Sequence, residues 1–369
     1  MTRAFAFLPW LAGGLVIALV AWRLAGERED PAAPIRIDLA TLPADGERFA
    51  GGEAVIDERS GHRPRRDALI RFTTAPLGEP TAVVEVLRRS GPQGFVRAEA
   101  LGEVVPGPRF LVLGDEQTMG AVDTASGWPA LVEARLRAGG GATREAVLLN
   151  AACDDYGLLH HVLRGPELLR RYEPRALIVA IATGDDVVAL ADPRLPHLEA
   201  GLLPAPPRVV ATADPLGLAA RAQQLAPGRP ALARRGLAQA LWLRESAERT
   251  AELHRSVDQC LRWLKEIAPR NGLLVVLLPP ATLARPDEAR ALVSAEAAAL
   301  IDAAADRAAH EAVRDGLQRL GIAWIDLLDA LRAGQGPDVY RVDGRLGTTG
   351  HTIAAQAIAA RLLQFIGSS

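Results

Sequence analysis

Cysteine, lysine and strong net charge are all scarce in this 369-residue chain, and each scarcity excludes something. The two cysteines, Cys153 and Cys260, show neither metal-ligand spacing nor a disulfide framework. Cys260 falls on the apolar stripe of a predicted helix and reads as a buried thiol, with a Cys153–Cys260 bridge as the alternative. Lys265 is the single lysine, so arginine carries almost all positive charge, a bias from which no function follows. The net charge of −2 supplies no bulk attraction for nucleic acid, which is excluded as an expected partner. No internal repeat is visible.

Apolar residues make up 49% of the chain and charged residues 23%, the balance of an ordinary folded globular protein. The length accommodates one sizeable α/β core with a smaller appended unit. Residues 4–22, AFAFLPWLAGGLVIALVAW, are uncharged throughout and long enough to span a bilayer, with Trp10 and Trp22 toward its two interfaces. The following RLAGERED offers no convincing cleavage site, so a retained single-pass anchor over 1–22 is expected rather than a signal peptide. Residues 23–49 read as a polar tether.

Short β runs then fill a unit over 50–105: ALIRFTT (68–74), TAVVEVLRR (81–89) and GFVRA (94–98), separated by turn residues. From 106 to 369 strands and helices alternate. Strands are expected at 109–113, 146–150, 176–182, 273–278 and 322–328. Helices are expected around 128–138, 157–171, 250–267, 287–320 and the C-terminal end. Such alternation means a parallel sheet with helices on both faces. An insertion at 183–231 is rich in proline yet carries many apolar side chains, and reads as a lid or as a surface for a partner.

Ligands of a parallel sheet sit at the carboxyl ends of its strands. The loops there read GDEQTMG (114–120), NAACDDYG (150–157), ATGDDVV (182–188) and VDGRLGTTGH (342–351). In that order they resemble the four blocks of the SGNH (GDSL-type) hydrolases, membrane-anchored envelope type, over residues 106–368. The resemblance implies a flavodoxin-like three-layer α/β/α fold and, for an intact member, O-acyl esterase or O-acetyltransferase chemistry on envelope glycans or lipids.

The resemblance also shows where such chemistry fails. It places the nucleophilic serine at Glu116, the second-block glycine at Asp155 or Ala152, the oxyanion asparagine at Asp185, and the histidine base at Arg345 or Leu346. Asp343, the family's histidine-orienting acid, is retained. A glutamate offers no alkoxide, an aspartate accepts where an oxyanion needs donors, and arginine stays protonated. Thr118 and Cys153 lie near the site without an evident base. His351 reads as a packing or capping residue, His160 and His161 as surface or core residues, and Ser126 as a helix cap.

The expected function is therefore a membrane-anchored pseudo-enzyme, a binding or structural subunit of a membrane or envelope complex, with its domain on the extracytoplasmic side. Protein partners are expected through 183–231, and no cofactor is expected. The alternative is an enzyme with a rearranged acidic site, and a further one is a divalent cation held by Asp115, Glu116, Asp185 and Asp343. Asp115, Glu116, Asp154 or Asp155, Asp185, Asp186 and Asp343 are expected to converge, with Arg345 as the sole nearby cation, forked onto Glu116 or Asp185. Asp154 and Asp186 have a second reading as outward-pointing loop acids.

Overall fold

The computed structural model describes residues 35–36, 54–57, 61–184, 186–191, 197–199, 203–205, 247–268, 272–295, 298–299 and 304–367. The expected anchor at 4–22, most of the tether, most of the 183–231 insertion, and Asp185 lie outside these. Among the described residues no helix is long and apolar enough to cross a membrane.

Three small antiparallel ladders come first. Strand β1 (Ile35–Arg36) pairs with β6 (Val104–Val105), β2 (Ala54–Asp57) with β3 (Gly61–Pro64), and β4 (Leu69–Thr74) with β5 (Val84–Arg89). The stretch 94–98 forms no strand; only Val96 bridges back, to Ser90. The chain then builds a parallel sheet from β7 (Arg109–Leu113), β8 (Val147–Asn150), β9 (Ala176–Ala182), β12 (Leu273–Leu278) and β13 (Ala323–Asp326). A two-stranded ladder, β10 (His197–Glu199) with β11 (Leu203–Ala205), lies within the insertion.

The parallel sheet runs in the order β13-β12-β9-β7-β8. Counted along the sheet's own strands this is the flavodoxin-like order, in which the winding reverses between the first strand and the third. Adjacent strand residues point to opposite faces. Thus Leu111, Leu113, Leu177, Val179, Ile181, Val275 and Leu277 enter one core. Phe110, Val112, Ile178, Ala180, Leu274 and Val276 enter the other. Because both faces are covered, the strands read as unbroken apolar runs.

The helices, in chain order, are α1 (Glu116–Met119), α2 (Trp128–Ala138), α3 (Leu158–Tyr172), α4 (Ala247–Ile267), α5 (Ala281–Ala284), α6 (Pro286–Arg290), α7 (Ala304–Leu320), α8 (Leu328–Ala333) and α9 (Thr348–Gly367). Helices α3, α4 and α7 cover the first core. Helices α2, α8 and α9 cover the second. The long helix expected over 287–320 is divided: Pro286 opens α6, which ends at Arg290, and a separate α7 begins at Ala304. The last strand is shorter than expected because Asp326 Oδ1 accepts the Leu328 amide at 2.9 Å and starts α8 there. Both cysteines are buried thiols and no disulfide joins them.

The leading β segments share the core of the α/β layers. Phe95, Leu101 and Val105 join the first core, and Leu77 joins the second. Backbone bonds tie this unit down: Leu77 N donates to Tyr340 O at 2.7 Å, Val342 N to Ala75 O at 2.9 Å, and Val96 N to Asn150 O at 2.8 Å. It is thereby fixed to the loops at the sheet's carboxyl end.

Candidate functional site

Strand β7 ends at Leu113, and after Gly114 the residue Asp115 turns the chain into α1. Its carboxylate accepts the amides of Gln117 at 2.9 Å and Thr118 at 3.4 Å, a side-chain cap on that helix. Asp115 is fully buried. Glu116 follows, 2% exposed. Its Oε2 accepts the backbone amide of Asp155 at 3.0 Å.

Asp155 has φ +59°, a left-handed conformation uncommon for a residue with a side chain and natural for glycine. Through this contact the Glu116 carboxylate ties the loop after β7 to the loop after β8.

The last loop is held to the first by Gln117, which the sequence did not single out. Its Nε2 donates to Gly344 O at 2.8 Å, and its Oε1 accepts Leu346 N at 3.1 Å. Between those two contacts lies Arg345. Its guanidinium is expected on Glu116 or Asp185; Asp185 lies outside the described residues, and among these the ion pair is with Asp343 rather than Glu116. Nε and Nη2 approach Asp343 Oδ2 at 2.8 and 2.6 Å, and the Arg345 amide donates to Oδ1 at 3.1 Å. A carboxylate two residues back, in a loop that turns through Gly344 at φ +83°, reaches both groups without a long-range partner.

Arg345 is not the sole cation either. Arg88, from β5, is 3% exposed. It pairs with Asp154 at 3.3 Å and donates to Gly120 O at 3.0 Å. Phe72, from β4, lies under both guanidiniums, 4.7 Å from Arg345 and 5.0 Å from Arg88 to the ring centroid. Hairpin β4–β5 thus covers the loops where a substrate of this fold would enter. A cavity there, lined by Arg88, Met119, Cys153 and Asp154 among others, measures about 20 Å³, room for roughly one water.

The outward reading of Asp154 and Asp186 is also corrected. Asp154 carries the Arg88 pair, and Asp186 is 1% exposed with Oδ2 accepting Ala182 N at 2.8 Å. Among the described residues no three His, Cys, Asp or Glu side chains are arranged to hold a metal ion.

His351 is buried, and its Nδ1 accepts the Trp128 amide at 3.0 Å, which makes it the cap of α2. Ser126, expected as that cap, sits in a 3-10 turn instead, and Gly127 stands at the N-cap with no side-chain bond. Burial, with Arg341 and Arg88 adding, pushes the His351 imidazole down to about 3. It is a neutral acceptor at ordinary pH.

A hydroxyl–imidazole–carboxylate chain lies elsewhere at the sheet's carboxyl end. Thr183 Oγ1 is 3.0 Å from His310 Nδ1, and His310 Nε2 is 2.9 Å from Asp326 Oδ2. Burial alone would raise the Asp326 carboxyl, but the His310 bond and charge, the Leu328 amide and Arg314 outweigh it and hold it low. Thr183 is completely enclosed and His310 1% exposed, so the chain joins β9, α7 and β13 rather than meeting a substrate. Sequence reading missed it because its members stand on three separate elements with no shared motif.

Neither a known protein family nor a curated protein matches the sequence. Solved structures do match in fold. One is a psychrotrophic esterase from Pseudoalteromonas sp., at 10% identity, covering 70% of this chain and 98% of that one, TM-score 0.38. Another is a lipase/acylhydrolase from Enterococcus faecalis, at 11%, 69% and 95%, TM-score 0.38. A third is a GDSL-like lipase from Bacteroides thetaiotaomicron, at 9%, 69% and 88%, TM-score 0.36. The strand order and the two covered faces make this a flavodoxin-like three-layer α/β/α fold. Likeness at these identities assigns neither activity nor substrate, which fold alone does not determine.

Proposed function

We propose that this chain is a membrane-anchored SGNH-hydrolase-like pseudo-enzyme that serves as a binding or structural subunit of a membrane or cell-envelope complex. The observation that carries the reading is the Glu116 carboxylate at 3.0 Å from the Asp155 amide. A working oxyanion site keeps such a donor for charge that develops in the transition state. Here a resident side chain already uses it. The same side chain replaces the nucleophile, so the two losses have one cause. Arg345 stands where a base would be, and a guanidinium cannot accept the nucleophile's proton.

The soluble segment from about residue 30 onward should hydrolyse short-chain acyl esters no faster than buffer, and a serine-hydrolase probe should not label it. Glu116→Ser should remain at background, because Arg345 still offers no base. Hydrolysis by the wild type that Glu116→Ala abolishes would replace this reading with an esterase using an acidic site.

Residues 4–22 would hold the domain at a membrane, on the extracytoplasmic face, and 183–231 would meet the partner. Protease added to intact spheroplasts should digest the domain, and purification from native membranes should lose the partner when 201–229 are deleted. Protection from protease, or a partner retained by the deletion, would move the domain or the contact elsewhere.

A further inference from the structure

Three histidines from two separate parts of the chain meet in one buried knot. His62 belongs to β3 in the leading hairpin, whereas His160 and His161 lie in the first turn of α3. The His62 ring stands edge-on to Tyr156 and His160, with centroids at 5.1 and 5.3 Å. Tyr156 stacks on His160 at 4.7 Å and lies 6.2 Å from His161. His62 Nε2 donates to Asp154 O at 2.7 Å, and the Tyr156 hydroxyl donates back to His62 O at 2.9 Å. His160 Nδ1 accepts the Gly157 amide at 2.9 Å, which requires an unprotonated nitrogen. Both nitrogens of His161 are buried without a hydrogen-bond partner.

The charged and titratable groups facing the knot come from the second block and from strands β2, β3 and β5. Asp154 and Asp155 lie in the second block, Asp154 with its Arg88 pair and Asp155 with its amide on Glu116. Asp57 comes from β2, with Arg63 of β3 at 3.9 Å. Cys153 is buried beside Tyr156.

We propose that this knot is an acid-releasable fastening: it holds hairpin β2–β3 across the second block at neutral pH and lets go when its imidazoles take up protons. The inference does not depend on whether the chain is an enzyme. All three imidazoles are held below their usual range. Burial lowers His62 against the opposing pull of the Asp154 bond and of Asp155, Asp154 and Asp57. Burial and the neighbouring His62 and His161 lower His160 well below it. Burial alone takes His161 to about 3. A released histidine binds its proton near pH 6.5, whereas the docked one does not, so docking is complete above that value and weakens as pH falls from about 6.5 toward 3. Freeing His161 on opening raises the opening constant about 30-fold between pH 7.5 and 5, and His62 and His160 add to it in the same direction.

Hydrogen exchange on the full-length chain at pH 7.5 and 5, corrected for intrinsic exchange rates, tests this. Amides of 54–57, 61–63 and 153–161 should show an opening constant raised about 30-fold or more. Amides of the central strands at 109–113 and 273–278 should rise distinctly less. His62→Gln keeps a donor for Asp154 O but cannot take the proton, so its rise should be distinctly smaller than that of the wild type. No rise in the wild type overturns the proposal, and so does an equal rise in the sheet, which would be global acid unfolding with His351 among its causes. An undiminished rise in His62→Gln overturns it too. The wild-type comparison decides alone if that variant does not fold.

Discussion

Gly120→Ala loses about 3 kcal/mol or more of stability, read as a lowered urea midpoint at unchanged slope. Gly120 ends α1 with φ +74° and ψ +171°, a region that only glycine occupies at low cost. Backbone strain accounts for about 1–3 kcal/mol of the loss. The remainder is steric, because a Cβ built on Gly120 lands on the Nε2 edge of His351. That ring cannot simply withdraw, since its Nδ1 accepts the Trp128 amide at the start of α2. Gly120 O also accepts from Arg88 at 3.0 Å, so a shifted turn disturbs the cover contributed by β5. In the double variant with His351→Ala the clash disappears and the strain remains, so the two losses should fall short of additivity. A loss below about 1 kcal/mol for Gly120→Ala would mean that the turn relaxes freely and that first and last blocks are not rigidly joined.

What could be read from the sequence, and what could not, follows from the range of each interaction. Strands β9 and β12 were legible to the residue because both faces are buried and the apolar runs carry their own ends. Strand β13 was not, since Ala323–Asp326 are only partly buried and the stop is made by a side chain, Asp326, whose carboxylate takes the Leu328 amide and turns the chain. The alanine-rich 287–320 region looked like one helix because alanine gives periodicity no contrast. At the site, the acids Glu116 and Asp343 were visible in the strand-end loops. The partner of Arg345 was missed because a neighbour two residues away satisfies it, a geometry that depends on the Gly344 turn. Arg88, Phe72 and His62 were missed for a different reason. The 50–105 segment was read as a unit placed ahead of the domain, whereas its side chains close over the strand ends. No local pattern encodes where a hairpin lands.

The second large effect concerns the sheet's outer edge, where β8 has a neighbour on one side only. In a parallel strand alternate residues bond to alternate sides. Val147 N and Ala151 N bond toward β7, through Pro108 O and Val112 O. Ala146, Leu148 and Asn150 therefore direct their backbone groups outward, where an unpaired strand invites association. Each is satisfied from elsewhere. Asn150 O accepts Val96 N at 2.8 Å. Glu133 Oε2 accepts Leu148 N at 2.7 Å, and Arg97 Nη1 donates to Leu148 O at 2.6 Å. Arg137 Nε donates to Ala146 O at 2.8 Å. Glu133 joins these pieces, because Arg97 grips both of its oxygens at 2.6 and 2.9 Å and Arg137 meets one at 2.9 Å. The Arg97 and Glu133 side chains are 12% and 9% exposed, so this is a nearly buried pair, while Arg137 at 40% adds little. Glu133→Ala then leaves a nearly buried guanidinium and a buried amide without their acceptor, a loss of about 3–5 kcal/mol. Replacing Arg97 and Glu133 together by methionine removes the stranded charge and should recover part of that loss, giving a favourable coupling in a double-mutant cycle. The edge itself supplies a second readout. With Leu148 released, the Glu133→Ala protein should associate at high concentration by light scattering, and the double variant should do so as well, because restoring packing does not restore the edge's hydrogen bonds. Losses under about 1 kcal/mol, with both variants monomeric, would mean that the Arg97–Glu133 pair is solvated and that β8 is protected by Val96 alone.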